Sequence, residues 1–328
     1  MDYQQENNVW VIGHKNPDTD SICAAICYSN LKNRLQDGFH YIPKRAGSIN
    51  EETKYVLQHF GVEPPEYAED AGAQVKDIAF RRTAGVSGHI SLKKAWELMK
   101  TENVMTLAVT SASDKLEGLI ITGDIAESYM DVYDNHILSR ARTQYKNIVE
   151  TLNGTLLAGN EHAYFLRGKV VVATGSRDVI EECIESDDLV IVGDRDETHI
   201  CALEENASCM VVTGGTQVSA QVLEMANRRD CVVIITPYDT FTAARLINQS
   251  MPIKYFMKKE NFVTFDIDDY VDEVREVMSK KRHRDFPVLD DQRRYLGMVS
   301  RRNLLNMHKK KLILVAVSYT HLRAHETV

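Results

Sequence analysis

Short apolar runs alternate along the chain with stretches of helical spacing. The first run, residues 9–12, is rich in β-branched side chains, and Ile22, Ala25 and Ile26 after it recur with the period of a helix. Several similar runs lie between residues 169 and 235, and helical stretches separate them. This alternation predicts an α/β protein with mainly parallel sheets, because crossover helices place successive strands side by side in one direction.

The clearest α/β pattern occupies residues 140–250, which we predict to be one compact domain. Its predicted strands are 169–173, 189–192, 209–212 and 231–235, and its predicted helices are 178–184, 218–227 and 240–248. A Thr-Gly-Gly turn at 213–215 follows the third strand, where it is typical of a tight bend. No Gly-x-x-x-x-Gly-Lys-Ser/Thr sequence is present, so P-loop nucleotide hydrolysis is not predicted.

Residues 1–66 form a second predicted region of strand, loop, helix, strand and helix. The short extended piece is residues 41–43, Asn50 is predicted to cap the last helix and Gly61 to end it. Pro64 and Pro65 then break the pattern and mark the predicted domain boundary.

The loop between the first strand and the first helix concentrates groups that bind metals. His14, Asp18 and Asp20 fall within seven positions, and we predict that Thr19 or Asp20 caps the helix that follows. One imidazole and two carboxylates suit Mn²⁺ and similar ions, and the helix start suits a phosphate. An ordinary capping turn with a strand-end histidine would use the same residues, so the residues alone leave both interpretations open.

An internal repeat surrounds the α/β block. The first copy runs from residues 75–78 to 118–125 and the second from 253–257 to 297–304, each with a helix, two strands and a closing helix in the same order. Shared order and spacing predict two copies of one supersecondary unit, at 67–135 and 251–308.

Composition limits the class of function. Apolar residues make up 44% of the 328 residues and charged residues 26%, with a net charge of −8 that argues against nucleic acid as the main partner. No signal peptide or membrane-spanning run is evident, so neither export nor a membrane partner is predicted. The six cysteines form no C-x-x-C pair and lie mostly in apolar runs, which predicts buried free thiols and a cytoplasmic location.

The metal-binding loop resembles a known signature. The sequence His14-Lys-Asn-Pro-Asp18-Thr-Asp20-Ser-Ile, with its continuation at 24–34 and a second match at 47–54, is similar to the N-terminus of family II inorganic pyrophosphatases of the DHH superfamily. The resemblance implies a manganese- or cobalt-dependent hydrolase that splits pyrophosphate into two phosphates, with Mg²⁺ on the substrate. It implies that His14 and Asp18 bind one metal ion and Asp20 the other.

The repeats resemble CBS domains, which implies a βαββα fold for each. The block between them resembles the DRTGG domain of the regulated pyrophosphatases. Paired CBS units imply a homodimer and a cleft for AMP, ADP, ATP or a diadenosine polyphosphate. The nucleotide-binding residues carried over are, in chain order, Thr122, Asp124, Ser300, Arg301, Arg302 and Asn303. Two positions depart from the usual motif: Ile121 replaces Ser or Thr, and Asn303 replaces the Asp expected to bind ribose. A dimerisation module with an empty cleft is the alternative.

The chain's last residues limit the expected activity. The resemblance implies that the catalytic domain resumes at 309–315, but the further metal ligands and the Lys/Arg substrate clamp expected after it are missing. We predict that residues 316–328 are an artefactual tail and that this chain alone is inactive. Two alternatives stay open: a non-catalytic module that binds adenine nucleotides, and a DHH-type phosphodiesterase.

Overall fold

A computed structural model describes residues 8–68, 73–130, 134–175, 177–281, 283–305 and 311–315. The predicted tail at 316–328 lies outside these residues. In chain order the first elements are β1 (Asn8–Ile12), α1 (Thr19–Leu35), β2 (His40–Arg45), α2 (Glu51–His59), β3 (Glu66–Tyr67), a 3₁₀ turn (Val75–Asp77), α3 (Leu92–Thr101), β4 (Thr106–Thr110), β5 (Leu116–Ile121), α4 (Thr122–Met130), α5 (Ile137–Arg140), β6 (Thr143–Gln144) and α6 (Tyr145–Thr151).

The remaining elements are β7 (Thr155–Ala158), β8 (Tyr164–Phe165), β9 (Val170–Val172), α7 (Arg177–Cys183), β10 (Leu189–Val192), α8 (Asp196–Glu204), β11 (Cys209–Val212), α9 (Ala220–Arg228), β12 (Val232–Ile235), α10 (Thr240–Leu246), two 3₁₀ turns (Ile247–Ser250 and Ile253–Tyr255), β13 (Phe265–Asp266), α11 (Val271–Lys280), β14 (Asp285–Leu289), β15 (Tyr295–Ser300), α12 (Arg301–Leu305) and β16 (Lys311–Leu314). Strands and helices alternate, and the predicted α/β class is confirmed.

The chain folds as two compact units. Among the described residues, the first comprises 8–80, 265–284 and 299–315, and the second comprises 81–264 and 285–298. Each unit is therefore assembled from segments that are far apart in sequence. No helix in the described part of the chain is both long and apolar enough to cross a membrane.

A four-stranded sheet organises the first unit. Its order is β16-β1-β2-β3, and each neighbouring pair is parallel. Val9, Val11, Ala25 and Tyr41 form its buried core. The segment 309–315, where the catalytic domain is expected to resume, contains β16, which pairs with β1. Strand β3 continues the sheet beyond the two prolines. The N-terminal sheet thus joins residues about 300 positions apart through main-chain hydrogen bonds.

Helix α2 is bounded as its sequence predicts. The side chain of Asn50 accepts a hydrogen bond from the main-chain N–H of Thr53 at 2.7 Å and thereby caps the helix. Gly61, just beyond the last turn, has a φ of +63°, a conformation that glycine adopts without strain.

The α/β block contains a five-stranded sheet in the order β7-β12-β11-β10-β9. Strands β9 to β12 are parallel, as predicted, whereas β7 pairs antiparallel with β12. Strand β7 and helix α8 were not predicted from the sequence. The apolar period of α8 is interrupted by Thr198 and His199, which are buried polar residues, so hydropathy alone does not show its inward face.

Free cysteines are less uniformly buried than the sequence predicts. Cys201, Cys209 and Cys231 are buried, whereas Cys27 and Cys183 are exposed. Burial raises the pKa of the Cys231 thiol to about 12 and holds that of Cys209 well above its ordinary value. The buried thiols are therefore protonated packing groups.

The two repeats have equivalent elements at a constant spacing. Helices α3 and α11 begin at Leu92 and Val271, and strands β5 and β15 begin at Leu116 and Tyr295, in each case 179 positions apart. Equivalent residues also meet in space, because Lys115 pairs with Arg294 where the two hairpins adjoin. The repeat predicted from the sequence is therefore also a repeat of secondary-structure elements.

The leading segment of each repeat pairs with the other repeat. Gln74, ahead of the first copy, bridges to Tyr270 at the start of α11, and Pro252, ahead of the second copy, bridges to Ser91 at the start of α3. Lys258 likewise exchanges main-chain hydrogen bonds with Leu119 of the first repeat at 2.8 and 2.9 Å. Each repeat is thus completed by a segment that belongs, in sequence, to the other.

Candidate metal loop and nucleotide-binding motifs

The loop after β1 folds tightly against the first turn of α1. The main-chain N–H of His14 donates to Oγ of Ser21 at 2.7 Å, and Ser21 is buried. A Cβ atom at Gly13 would lie 1.8 Å from this Oγ, so the approach requires glycine. A second glycine, Gly47, passes the loop so closely that a Cβ atom would lie 2.6 Å from the carbonyl oxygen of Lys15.

Asp18 caps helix α1, and the prediction that Thr19 or Asp20 would do so is wrong. Asp18 has extended φ and ψ angles of −89° and 179°, and its Oδ1 accepts from the main-chain N–H of Ser21 at 2.9 Å. Thr19 lies inside the helix instead, with its Oγ1 3.0 Å from Oγ1 of the buried Thr53 on α2. One oxygen of a predicted metal ligand is therefore occupied by the helix start.

The three predicted metal ligands share this loop but do not complete a metal site. His14 and Asp18 are exposed, and Asp20 is partly buried. Their donor atoms suit Mn²⁺ or Co²⁺. Across the described ranges, however, no three or more His, Cys, Asp or Glu side chains are arranged to hold a metal ion. A binuclear centre needs several such ligands, so the described residues do not form one by themselves.

The closing motif of the first repeat lies where β5 ends and α4 begins. Asp124 is buried, and its Oδ2 accepts from the main-chain N–H of Ile121 at 2.9 Å. Its Oδ1 lies 3.2 Å from Nζ of Lys258. The hydroxyl of Thr122 donates to the carbonyl oxygen of Met105 at 3.3 Å. Asp124 is thus committed to holding the helix start and neutralising a lysine.

The closing motif of the second repeat uses Asn303 in the same way. Its Oδ1 accepts from the main-chain N–H of Ser300 at 2.8 Å and from the hydroxyl of Ser300 at 2.7 Å. Its Nδ2 donates to the carbonyl oxygen of Ala79 at 2.7 Å. An amide oxygen accepts these hydrogen bonds as a carboxylate would, so the position tolerates Asn.

The two arginines of the second motif differ in their surroundings. The guanidinium of Arg301 donates to the carbonyl oxygens of Met278, at 2.5 Å, and of Lys281, both at the end of α11. Arg302 is exposed and makes no hydrogen bond or ion pair within the described part of the chain. Arg301 therefore closes a helix end, and Arg302 is the cation that faces solvent.

The six predicted nucleotide-binding residues fall in two groups. Thr122 and Asp124 belong to the second unit, and the four residues 300–303 belong to the first. The structure adds Lys258, which the sequence analysis did not single out. Lys258 lies 134 positions after Asp124, its ion-pair partner, and no local sequence pattern predicts this pair.

Comparison with known proteins agrees with this architecture. The DRTGG domain family matches residues 147–250 and the CBS domain family matches residues 253–309. A crystal structure of the CBS and DRTGG domains of the regulatory region of Clostridium perfringens pyrophosphatase, complexed with the activator diadenosine tetraphosphate, is 36% identical with a TM-score of 0.67. The match covers 70% of this chain and 100% of that one.

The chain belongs to the family of inorganic pyrophosphatases with a CBS–DRTGG regulatory region. The resemblance inferred from the sequence is thereby confirmed. Within this pyrophosphatase family, the cobalt-dependent enzyme of Clostridium perfringens is 39% identical over 307 residues, and the probable manganese-dependent enzyme of Thermotoga maritima is 34% identical over 307 residues.

Both of those pyrophosphatases are considerably longer than this chain. Each match covers 94% of this chain but 56% of the relative, so the chain spans about half the length of the relatives that it matches. A shorter relative, the manganese-dependent pyrophosphatase of Methanothrix thermoacetophila, is 52% identical over 67 residues, which are 20% of this chain and 21% of the relative.

Proposed function

We propose that the chain is the regulatory region of an inorganic pyrophosphatase, joined to the N-terminal part of its catalytic domain, and that it binds adenine nucleotides. The observation that carries the proposal is the 36% identity along the whole of a pyrophosphatase regulatory region that was crystallised with diadenosine tetraphosphate. The proposed ligands are AMP, ADP, ATP or a diadenosine polyphosphate.

Nucleotide-binding residues are proposed at each of the two closing motifs. Thr122 and Ser300 stand at helix starts, where main-chain N–H groups suit phosphate. Arg302 supplies an exposed positive charge, and Arg301 positions the helix end beside it. Asp124 and Asn303 hold the motifs in shape through hydrogen bonds to main-chain N–H groups. This geometry supports phosphate binding more than direct binding of ribose by the acid.

The metal-binding loop is proposed to be one part of a pyrophosphatase centre. His14, Asp18 and Asp20 would hold Mn²⁺ or Co²⁺ together with ligands from elsewhere in the longer protein, and Mg²⁺ would accompany the substrate. Such ions activate water and neutralise phosphoryl oxygens during hydrolysis of pyrophosphate to two phosphates. Because no set of three ligands comes together in the described residues, we propose that the 328 residues alone are inactive.

The proposal also covers the domain bounds, the oligomeric state and the cellular location. The domains are a catalytic part at 1–66, CBS units at 67–135 and 251–308, a DRTGG domain at 140–250, and the start of the resumed catalytic domain at 309–315. A homodimer is expected because paired CBS units usually associate across two chains. The free thiols suit a reducing cytoplasm.

Two measurements test the proposal separately. Titration with AMP, ADP or diadenosine tetraphosphate should raise the melting temperature by mass action. Phosphate release from pyrophosphate with Mn²⁺ or Co²⁺ should stay at the level of a His14→Ala, Asp18→Ala control. No thermal shift at millimolar nucleotide would reject the nucleotide site, and turnover above the control would reject the inactive stub.

A second candidate is a purely regulatory module that binds adenine nucleotides and has no part in catalysis. The incomplete ligand set in the described residues favours it. Adding the missing half of the catalytic domain as a separate chain distinguishes the two. Restored, nucleotide-sensitive hydrolysis supports the pyrophosphatase, whereas nucleotide binding without restored hydrolysis supports the module.

A further inference from the structure

A cavity of about 300 Å³ lies in the second unit, and none of its lining residues belongs to a closing motif. Helix α4 of the first repeat forms one wall, and α10 with the 3₁₀ turn after it forms another. Its lining residues are Leu92, Ser128, Tyr129, Ala244, Arg245 and Asn248. This volume is at the lower end of the range for small-molecule sites, so a ligand would be small.

The polar groups around the cavity are mostly hydrogen-bond donors. Arg245 is exposed and has no ion pair or hydrogen bond among the described residues, and no carboxylate is among the lining residues. The side-chain amide of Asn248, which is half-buried, is likewise unpaired among the described residues. A guanidinium beside an unpaired amide, with no acid to neutralise it, favours a ligand rich in acceptor oxygens.

Tyr129 adds a third donor from the α4 wall, opposite the wall that carries Arg245 and Asn248. Its Oη accepts a hydrogen bond from the amide of Gln249, so the phenolic proton is left to donate elsewhere. Burial raises the pKa of Tyr129, against the opposing effects of Gln249 and the charge of Arg245, so the phenol keeps its proton. Leu92 and Ala244 supply the apolar part of the cavity wall.

We propose that this cavity is a binding site for a small oxyanion, a compound carrying a phosphate or carboxylate group, held by Arg245, Asn248 and Tyr129. The site is separate from the nucleotide motifs. Because α4 begins at Thr122 in the first closing motif, an anion that ties α4 to α10 links the CBS unit to the DRTGG domain. Anion occupancy would then bias the helix that also carries the nucleotide motif.

The test is calorimetric titration of the full chain with inorganic phosphate, pyrophosphate and citrate. EDTA removes divalent ions, and sodium chloride keeps the ionic strength constant, so neither the metal loop nor general screening contributes. We expect saturable binding of at least one of these anions. Arg245→Gln should weaken it about tenfold and Tyr129→Phe about threefold, because charge-assisted hydrogen bonds are the stronger ones. Phosphates and citrate distinguish the two anion classes.

Arg228→Gln is the matched control, because Arg228 is exposed on α9 and paired with Glu224. It should bind anions as the parent chain does. Equal affinities in Arg245→Gln and Arg228→Gln, or no saturable binding of any of the three anions, would overturn the proposal. AMP titration gives an independent readout: Arg245→Gln should bind AMP normally, and an equal loss of AMP and phosphate affinity would also overturn a separate site. Asn248→Ala repeats the test should Arg245→Gln unfold.

Discussion

The closing motifs of the two repeats, at 121–124 and 300–303, both end in a residue that accepts a hydrogen bond at the helix start. That residue is a charged Asp in one motif and a neutral Asn in the other. In each, the last residue accepts a hydrogen bond from the main-chain N–H three positions earlier. Asp124 is buried and forms an ion pair with Lys258, whereas Asn303 is neutral and its amide donates to the carbonyl oxygen of Ala79. The last residue of the motif therefore has the same role as a hydrogen-bond acceptor in both repeats. Whether it is charged depends on the side chain or carbonyl group beside it.

The largest expected effect separates the two acceptors. Asp124→Ala should lower the free energy of unfolding by about 2–3 kcal/mol, since it leaves an N–H and a lysine unpaired, and Asn303→Ala by about 1–2 kcal/mol. Asp124→Asn keeps the acceptor and should lose about 1 kcal/mol, because Lys258 is half-exposed and screened. Urea unfolding measures these differences. Equal losses at the two positions would break the comparison.

A smaller effect should distinguish the two arginines. Arg301→Gln removes hydrogen bonds to the end of α11 and should cost about 1 kcal/mol. Arg302→Gln is its matched control and should change stability by less than about 0.5 kcal/mol. Melting temperatures of the two variants measure the difference. A larger loss for Arg302→Gln would contradict the assigned roles.

For nucleotide affinity we expect the larger effect from Arg302, although Arg301 has the larger effect on stability. Arg302→Gln should weaken AMP binding about fivefold, equivalent to about 1 kcal/mol, because an exposed charge near phosphate is screened by solvent. Thr122→Val should weaken it less. Calorimetry at two salt concentrations checks the result, because a contribution from Arg302 must shrink at high salt. An unchanged affinity in Arg302→Gln would remove the arginine from the proposed site.

The smallest effect concerns the hairpin turns, where Ser111 and Asp290 are equivalent. Both accept main-chain hydrogen bonds in the turn. Burial would raise the pKa of Asp290, but hydrogen bonds from the main chain and guanidinium of Arg294 outweigh it and lower the pKa. A lowered pKa stabilises the fold above the ordinary value of about 3.9, and that contribution is lost as the pH falls through the lowered pKa.

Asp290→Ser, which copies the first repeat, should therefore lose less stability than the parent chain between pH 5 and pH 3. Thermal unfolding at the two pH values gives the difference, with the other carboxylates common to both proteins. An identical acid dependence would mean that the carboxylate of Asp290 adds nothing that a hydroxyl does not.

Local patterns predicted much of the fold. Strands β10 and β11 lie where the apolar runs place them, because hydropathy directly reports which residues avoid water. The cap of α1 was misplaced by one or two residues, since Asp18, Thr19 and Asp20 are all good caps and only the backbone angles select one. Helix α8 was missed because its buried face carries a histidine and a threonine.

The family resemblance, the repeat and the residues of the candidate metal loop can be predicted from the sequence, because they depend on residue types at fixed short spacings. The partner that each residue meets is set by tertiary packing. That packing pairs Asp124 with Lys258, exchanges the leading segments of the repeats, brings β16 beside β1 and places Arg245 at the edge of a cavity. Contacts between residues a hundred or more positions apart depend on how whole elements pack, and no local period along the chain encodes that packing.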